Sequence, residues 1–241
     1  MGLAMDTSGD VASVAVGLAG LTPKAQAITV GARKHAGALV PMIDDCITRA
    51  KVTSPAGLRG VLVTDGPGSF TGLRVSASVA KAMVLTHGLQ FRVAPSLLVL
   101  AAGARPRPAG PILSVLDALR GELYAAVYGF NGGGVETFLP PTVMTPEQLA
   151  AEVAPMGIKG VTGVLPLERL ERLERLLSVP IIEAPSETAP VLLSLISVGG
   201  ALTSVQDPRH WEPEYGRPAE AQRKWEERHG RPLSPAPGRP G

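Results

Sequence analysis

The most informative stretch of this chain reads Gly66-Pro67-Gly68-Ser69-Phe70-Thr71-Gly72-Leu73-Arg74. An apolar run over residues 60–65 precedes it, and a segment with helical character over 75–87 follows it. A strand, a glycine turn and a helix start together present backbone N–H groups to an anion. The same glycines also suit a tight turn that lets helix and strand pack closely. Both interpretations stay open, because a Walker A lysine and the dinucleotide-binding spacing are absent.

An acidic residue closes each of two separate apolar strands. The predicted strand 2–6 ends in Asp6, followed by Thr7 and Ser8, and a second strand is predicted over 11–18. Further along, the predicted strand 111–117 ends in Asp117, and another strand follows it. The repeated pattern indicates two similar lobes.

Three carboxylates at strand ends raise the question of a metal site. Asp6, Asp65 and Asp117 would offer the oxygen ligands that Mg²⁺ prefers, and such a site supports phosphoryl transfer or hydrolysis. The alternative is structural: Asp6 and its neighbours hydrogen-bond to the amides of their own turn. The short second lobe leaves little room for a complete nucleotide site, which favours the structural alternative.

Composition restricts the class of protein. Of the 241 residues, 45% are hydrophobic and 18% are charged, which is typical of a globular chain and excludes a disordered one. No apolar run reaches the roughly twenty residues of a membrane span, and no basic region marks a secretory signal. The single cysteine, Cys46, cannot form an internal disulfide, so we expect a cytoplasmic protein.

The end of the chain mixes basic residues with glutamates over residues 209–239. Because the charges largely cancel and the net charge of the chain is only +2, a solvated surface is the expected role, with direct RNA contact as the alternative. Residues 231–241 are rich in proline and glycine, a composition typical of disorder.

In content and order, these motifs resemble those of the TsaB family, relatives of the TsaD proteins. The resemblance covers most of residues 1–217 and implies an α/β, two-lobed fold of the actin/Hsp70/sugar-kinase type with a reduced second lobe. We therefore predict a ribonuclease-H-like lobe over 1–104, a reduced lobe over 105–208 and a charged tail over 209–241. The residues that carry the resemblance are Asp6-Thr7-Ser8, the stretches 35–43, 66–74 and 212–217, Asp117-Ala118, Gly121-Glu122 and Tyr124.

The resemblance implies a non-catalytic subunit that pairs with and activates a TsaD-type threonylcarbamoyltransferase, which forms threonylcarbamoyladenosine on tRNA. It also implies a TsaE-type ATPase reached through the complex, a homodimer when the chain is alone, and only indirect contact with tRNA. No cofactor is then required, although weak binding of ATP or ADP with magnesium is compatible with the sequence. The residues that would bind such a nucleotide are Asp6, Thr7, Ser8, Gly68, Ser69, Thr71 and Asp117.

The alternative function is a magnesium-dependent nucleotide hydrolase or phosphotransferase of the actin-like superfamily. It would use Asp6, Asp117 and the amides of residues 68–71. TsaD-like catalytic subunits carry a His-x-x-x-His metal pair, whereas the four histidines here are too far apart in sequence to form one. We therefore expect neither a catalytic residue nor a metal ligand in this chain.

Two predicted helices, 36–51 and 71–87, are apolar over more than one face. Burial beneath the rest of the fold explains this pattern, and so does a partner surface. The resemblance to TsaB favours the partner surface, and one departure from the family is Leu119, which stands where an arginine is usual. The predicted contact residues are His35, Leu39, Val40, Ile43, Ser76, Ala77, Ala80 and Val84.

Overall fold

The computed structural model describes residues 1–31, 35–216 and 228. Most of the predicted tail, including the proline-rich residues 231–241, therefore lies outside the described residues. The described helices are α1 (His35–Arg49), α2 (Phe70–His87), α3 (Ser96–Gly103), α4 (Pro146–Val153), α5 (Leu167–Leu177) and α6 (Thr188–Ser194).

The first of two sheets has six strands in the order β10-β5-β4-β1-β2-β3. Strands β1, β2 and β3 are antiparallel neighbours, whereas β4 and β5 run parallel to β1 and β10 pairs antiparallel with β5. The strands are β1 (Gly2–Asp6), β2 (Val11–Gly17), β3 (Ala25–Val30), β4 (Gly60–Gly66), β5 (Gln90–Pro95) and β10 (Thr203–Ser204).

The second sheet has four strands in the order β8-β7-β6-β9. An antiparallel meander of β6, β7 and β8 is extended by β9, which runs parallel to β6. Its strands are β6 (Ile112–Asp117), β7 (Leu123–Asn131), β8 (Gly134–Met144) and β9 (Val161–Val164). Each sheet therefore contains the repeated motif, which is a strand that ends in an acid and is followed by its antiparallel partner. These strands are β1 and β2 in the first sheet and β6 and β7 in the second.

Alternating side chains distribute the core over three apolar layers. On β1, Leu3 and Met5 pack with α1 and α2, whereas Ala4 faces α3 and α6. The middle layer also contains side chains of β6 and β7, so α3 and α6 lie between the sheets, and the third layer joins the second sheet to α4 and α5. Because both faces of β1 are covered, its sequence is continuously apolar rather than alternating.

Two helix starts follow the local sequence closely. The Ser69 hydroxyl accepts a hydrogen bond from the Gly72 amide at 3.2 Å and caps α2. At α4, Thr145 and Gln148 form a reciprocal capping box. Of the two residues that could have capped α2, Ser69 and Thr71, the structure therefore uses Ser69.

The mostly apolar residues 189–203 predict one buried closing helix, and this prediction is wrong. Helix α6 ends at Ser194, a single 3-10 turn covers Leu195–Ser197, and β10 then returns to the first sheet. The chain reverses at Gly200, whose φ of 75° lies in the left-handed region that favours glycine.

Residues 188–204 contact the first sheet although the sequence-based division places them in the second lobe. Helix α6 packs on β1 and β2, and the buried Ala189 amide donates to the Ser13 hydroxyl at 3.1 Å. The lobe boundaries at 104 and 208 stay a prediction. Within the described residues, none of the helices combines the length and the apolar character needed to cross a membrane.

Candidate functional site

The turn after β1 holds its acidic residue in internal hydrogen bonds. Asp6 is only 3% exposed. Its Oδ1 accepts from the Ser8 amide at 2.8 Å and from the Thr64 hydroxyl at 2.6 Å. The Ser8 contact is the one that the structural alternative predicts, the Thr64 contact comes from β4, and together they compensate for the burial of the carboxylate.

The glycine stretch packs directly on this turn. The Thr7 hydroxyl donates to the Gly72 carbonyl at 2.6 Å, and the Ser69 amide donates to the Ser8 carbonyl at 2.7 Å. A Cβ added at Gly68 would lie 2.6 Å from the Ser8 carbonyl oxygen, and one at Gly72 would overlap the Thr7 carbonyl oxygen. The glycines therefore permit close backbone packing, which is the tight-turn interpretation of the motif.

The last described segment of the chain fills the space beside the same loop. We call residues 205–216 the C-terminal strap. The Glu214 amide donates to the Asp65 carbonyl at 2.6 Å, and a Cβ at Gly66 would overlap the Glu214 carbonyl oxygen. Gly66 also has a φ of 111°, so both its conformation and its lack of a side chain serve the docking of the strap.

Further contacts hold the strap along β5 and α2. The Val205 amide donates to the Phe91 carbonyl at 2.9 Å, and the Trp211 ring meets the Phe91 ring edge-on at 4.9 Å between centroids. Lys81 on α2 forms a 2.8 Å ion pair with Glu212. The charge pattern predicted a solvated surface over residues 209–239 and did not predict this docking, because its contacts join residues far apart in the chain.

Asp117, the predicted counterpart of Asp6, has a different partner. Its Oδ1 lies 2.8 Å from Arg169 Nη1 of α5 and accepts from the Leu119 amide at 2.8 Å. Burial, the largest single influence, would raise the pKa of Asp117, but the hydrogen bond and charge of Arg169 together with the Leu119 amide hold it below its ordinary value. Arg169 also donates to the Glu122 carbonyl at 3.3 Å and so fastens both ends of the β6–β7 turn.

The structure thus brings only part of the predicted nucleotide site together. Residues 6–8 and the start of the glycine loop meet at the carboxyl ends of β1 and β4, whereas Asp117 is paired with Arg169, and Thr71 is exposed on the first turn of α2. Within residues 1–31 and 35–216, no group of three or more His, Cys, Asp or Glu side chains is placed to hold a metal. Asp6, Asp65 and Asp117 therefore do not form the three-carboxylate cluster that the enzyme alternative needs.

A cleft of about 420 Å³ opens beside the glycine loop, between the two sheets. The carboxyl ends of β4 and β5 form one side, β7 and β8 form the other, and the strap closes an end. Asp65 lies in its lining, where burial and then the charge of Glu214 raise the pKa of Asp65 to about 7. The sequence identified Asp65 as an acid at the end of a strand, but it did not predict that Glu214 lies beside it.

Comparison with known proteins places the chain in a family. A family model described as "TsaD: tRNA N6-adenosine threonylcarbamoyltransferase" matches residues 20–169, more than half of the chain. The Escherichia coli protein named "tRNA threonylcarbamoyladenosine biosynthesis protein TsaB" is 31% identical over 164 residues, which are 64% of this chain and 70% of that protein. The chain belongs to the TsaB family. The Bacillus subtilis protein of the same name is 30% identical over 57% of this chain and 59% of its own length.

Solved structures confirm the predicted α/β fold. A Pseudomonas aeruginosa protein described as similar to the peptidase YEAZ superposes with a TM-score of 0.70 at 22% identity, over 90% of this chain and 99% of that one. A second, "YeaZ from Pseudomonas aeruginosa", gives a TM-score of 0.67 at 24% identity over 80% and 89%.

Most of the contact residues predicted from the TsaB resemblance lie inside the molecule. The side chain of His35 lies outside the described part of the structure, and Val40 is 57% exposed. The others are buried in the monomer beneath α1 and α2: Leu39, Ile43, Ser76, Ala77, Ala80 and Val84. These six stabilise the packing of the helices on the sheet, so a partner would meet other positions of α1 and α2, and the predicted interface stays a prediction.

The departure from the TsaB pattern at Leu119 has a clear structural setting. Leu119 is 67% exposed, and it begins a run of three residues with positive φ that ends at Gly121. The cation that pairs with Asp117 comes instead from Arg169, which the sequence placed on a charged surface helix. The sequence alone does not predict the ion pair of Asp117 and Arg169, because folding of the chain is what brings β6 and α5 together.

Proposed function

We propose that this chain is a non-catalytic subunit that pairs with and activates a TsaD-type threonylcarbamoyltransferase during formation of threonylcarbamoyladenosine on tRNA. The names of its TsaB relatives supply the pathway. The observation that carries the non-catalytic role is the occupation of the glycine loop by the chain itself. The carbonyl oxygens of Thr7, Ser8 and Glu214 occupy the space beside the glycine Cα atoms of the loop.

The enzyme alternative is not favoured by the contacts of its required acids. A carboxylate that binds magnesium needs lone pairs directed at an open site. Asp6 is buried and accepts two internal hydrogen bonds, and Asp117 is held by Arg169. We therefore propose that the chain needs no cofactor for its role and that ATP or ADP binds weakly or not at all.

The outward surface of α1 and α2 supports a partner interface. The two helices lie side by side over one face of the first sheet. Val40 is largely exposed, and Val75, Val79 and Met83 of α2 are only partly buried. We propose that this surface receives the TsaD-type partner, or a second copy of the chain when the partner is absent. The TsaE-type ATPase and tRNA would then be reached through the complex, in the cytoplasm.

Reconstitution tests the function directly. Purified TsaD-type transferase, TsaE-type ATPase, tRNA and a supply of threonylcarbamoyl-adenylate are combined with and without this chain, and modified adenosine is measured. We expect modification to depend on the chain, which alone should hydrolyse no ATP. In the near-isosteric Asp6→Asn variant, activation should persist, provided that thermal unfolding shows a folded protein. Modification without the chain, or magnesium-dependent hydrolysis that Asp6→Asn abolishes, would contradict the proposal.

A charge on the outward helix surface tests the interface. Val40→Glu places a carboxylate where the side chain is 57% exposed, so folding should be preserved while partner binding, measured by analytical ultracentrifugation, is lost. Leu167→Glu is the matched control, because Leu167 is equally exposed but lies on α5. Binding retained in Val40→Glu, or lost equally in both variants, would contradict the interface. Ala80 is unsuitable for this test because it is fully buried and a charge there would unfold the chain.

A further inference from the structure

The cleft between the sheets combines apolar walls with a concentration of negative charge. Its walls include Pro67, Pro95, Pro141 and Val143. Its volume of about 420 Å³ falls within the range of about 300–1,000 Å³ typical of small-molecule sites. Among the described residues of its lining, the carboxylic acids are Asp65 and Glu214, and none is a lysine, an arginine or a histidine.

The main chain holds the two acidic residues next to each other. The hydrogen bond from the Glu214 amide to the Asp65 carbonyl, at 2.6 Å, joins the strap to the end of β4. Their mutual repulsion is part of the reason that the pKa of Asp65 is raised, after the larger effect of burial. Among the described residues, no ion pair reaches either of them.

A buried hydroxyl lies near Asp65. The hydroxyl of Tyr128 is buried and has no hydrogen-bond partner among the residues that the structure describes. Burial, and then the nearby charge of Asp65, raise the pKa of this phenol, so it stays a neutral donor.

We propose that this cleft binds a small organic cation, an amine on an apolar body, whose charged group meets Asp65 and Glu214 while its body lies against the proline-lined walls. A cation relieves the repulsion between the two acids, and the apolar walls suit an alkyl or ring body better than a hydrated metal ion. Phosphate-bearing ligands would be repelled by the same acids. The site lies apart from the proposed partner surface, since none of these residues lies on α1 or on the outward surface of α2.

An NMR titration of the full chain with hexylamine tests the proposal, with 1-hexanol as the neutral ligand of similar shape. We expect saturable shifts of the Gly66 and Gly216 amides, which line the cleft, and at least roughly tenfold weaker binding of the alcohol. An alkyl amine stays protonated at pH 8, since the related lysine side chain has a pKa of about 10.4. Equal binding of amine and alcohol, or no saturable shift with the amine, would overturn the proposal.

Variants of the strap provide a matched pair. Glu214→Gln should weaken hexylamine binding roughly fivefold, the effect of removing one partly solvated charge partner. Glu212→Gln should leave binding unchanged, because that carboxylate binds Lys81 and Tyr215 rather than lining the cleft. Equal effects of the two variants would place the cation outside the cleft. Arg217 follows Gly216 in the chain, so binding that occurs only in Arg217→Ala would identify the occupant as this chain's own guanidinium and overturn the proposal.

Discussion

Replacing Asp65 by asparagine should make the protein more stable at pH 8, although the change touches the candidate site. Burial and the charge of Glu214 raise the pKa of Asp65 from 3.8 to about 7, which means that the fold disfavours the ionised form. Asparagine has nearly the same shape and carries no charge. The variant therefore removes an electrostatic cost that the wild-type protein bears whenever Asp65 is ionised.

The expected gain in stability of the Asp65→Asn variant follows from the size of the pKa shift of Asp65. Each unit of pKa difference between folded and unfolded states corresponds to about 1.4 kcal/mol, so a shift of roughly three units gives at most about 4 kcal/mol. Because the folded pKa is raised, the favourable protonated state is fully available below pH 3.8, and stability is lost as pH rises toward 7. The gain in the Asp65→Asn variant should accordingly be small at pH 4 and reach its maximum above pH 7.

Urea unfolding at pH 4.5 and pH 8 measures this difference. The wild-type protein should lose stability relative to Asp65→Asn between the two conditions, with an unchanged slope against urea concentration. Asp45→Asn is the control, because its side chain is about half exposed and its ion pair with Arg49 lies on the surface. An Asp65→Asn protein that is equally stable or less stable than the wild type at pH 8 would refute the reasoning.

Two further changes test the packing at strand ends. Gly72→Ala should destabilise the protein by several kcal/mol in chemical unfolding, on the order of a severe overpacking defect, because the new Cβ overlaps the Thr7 carbonyl oxygen. Gly37→Ala is the contrasting change, because Gly37 lies on an exposed turn of α1 with open space around it. This variant should stabilise the protein by about 0.5–1 kcal/mol. Arg169→Ala should raise the pKa of Asp117 in an NMR titration and cost up to about 1 kcal/mol at pH 7, a loss that disappears as the carboxylate is protonated at low pH. An unchanged Asp117 pKa would show that the ion pair is not formed in solution.

Local sequence was sufficient for most of the helices and strands. Strand β1 and helix α2 were predicted within one residue of their observed bounds, because a continuous apolar run and a serine cap are signals contained in a few neighbouring residues. The apolar residues of 189–203 were mistaken for one long helix, since a reversal at a glycine pair is only weakly marked in sequence. Strand β9, with four residues, is too short to show a period.

The candidate site was less accessible to sequence reasoning, because its contacts join distant residues. The strap reaches β4 through Glu214 and Asp65, and α5 reaches β6 through Arg169 and Asp117. Asp65 and Asp117 stood out as acids at strand ends, but their partners Glu214 and Arg169 are common surface residue types and were not distinguished from solvated charges. The apolar faces of α1 and α2 were correctly recognised, but which residues point inward depends on the helix rotation over the sheet.

The glycine loop shows why a motif of this kind has two physical meanings. Glycines allow backbone to approach closely, and the approaching group can be a phosphate oxygen or a carbonyl oxygen of the same chain. Here the groups are the carbonyls of Thr7, Ser8 and Glu214, and the Ser69 amide already donates to one of them. A phosphate entering the loop would have to displace partial negative charges that are fixed by β1 and by the strap. The loop therefore joins the β1 turn, α2 and the strap through close contacts between their backbones.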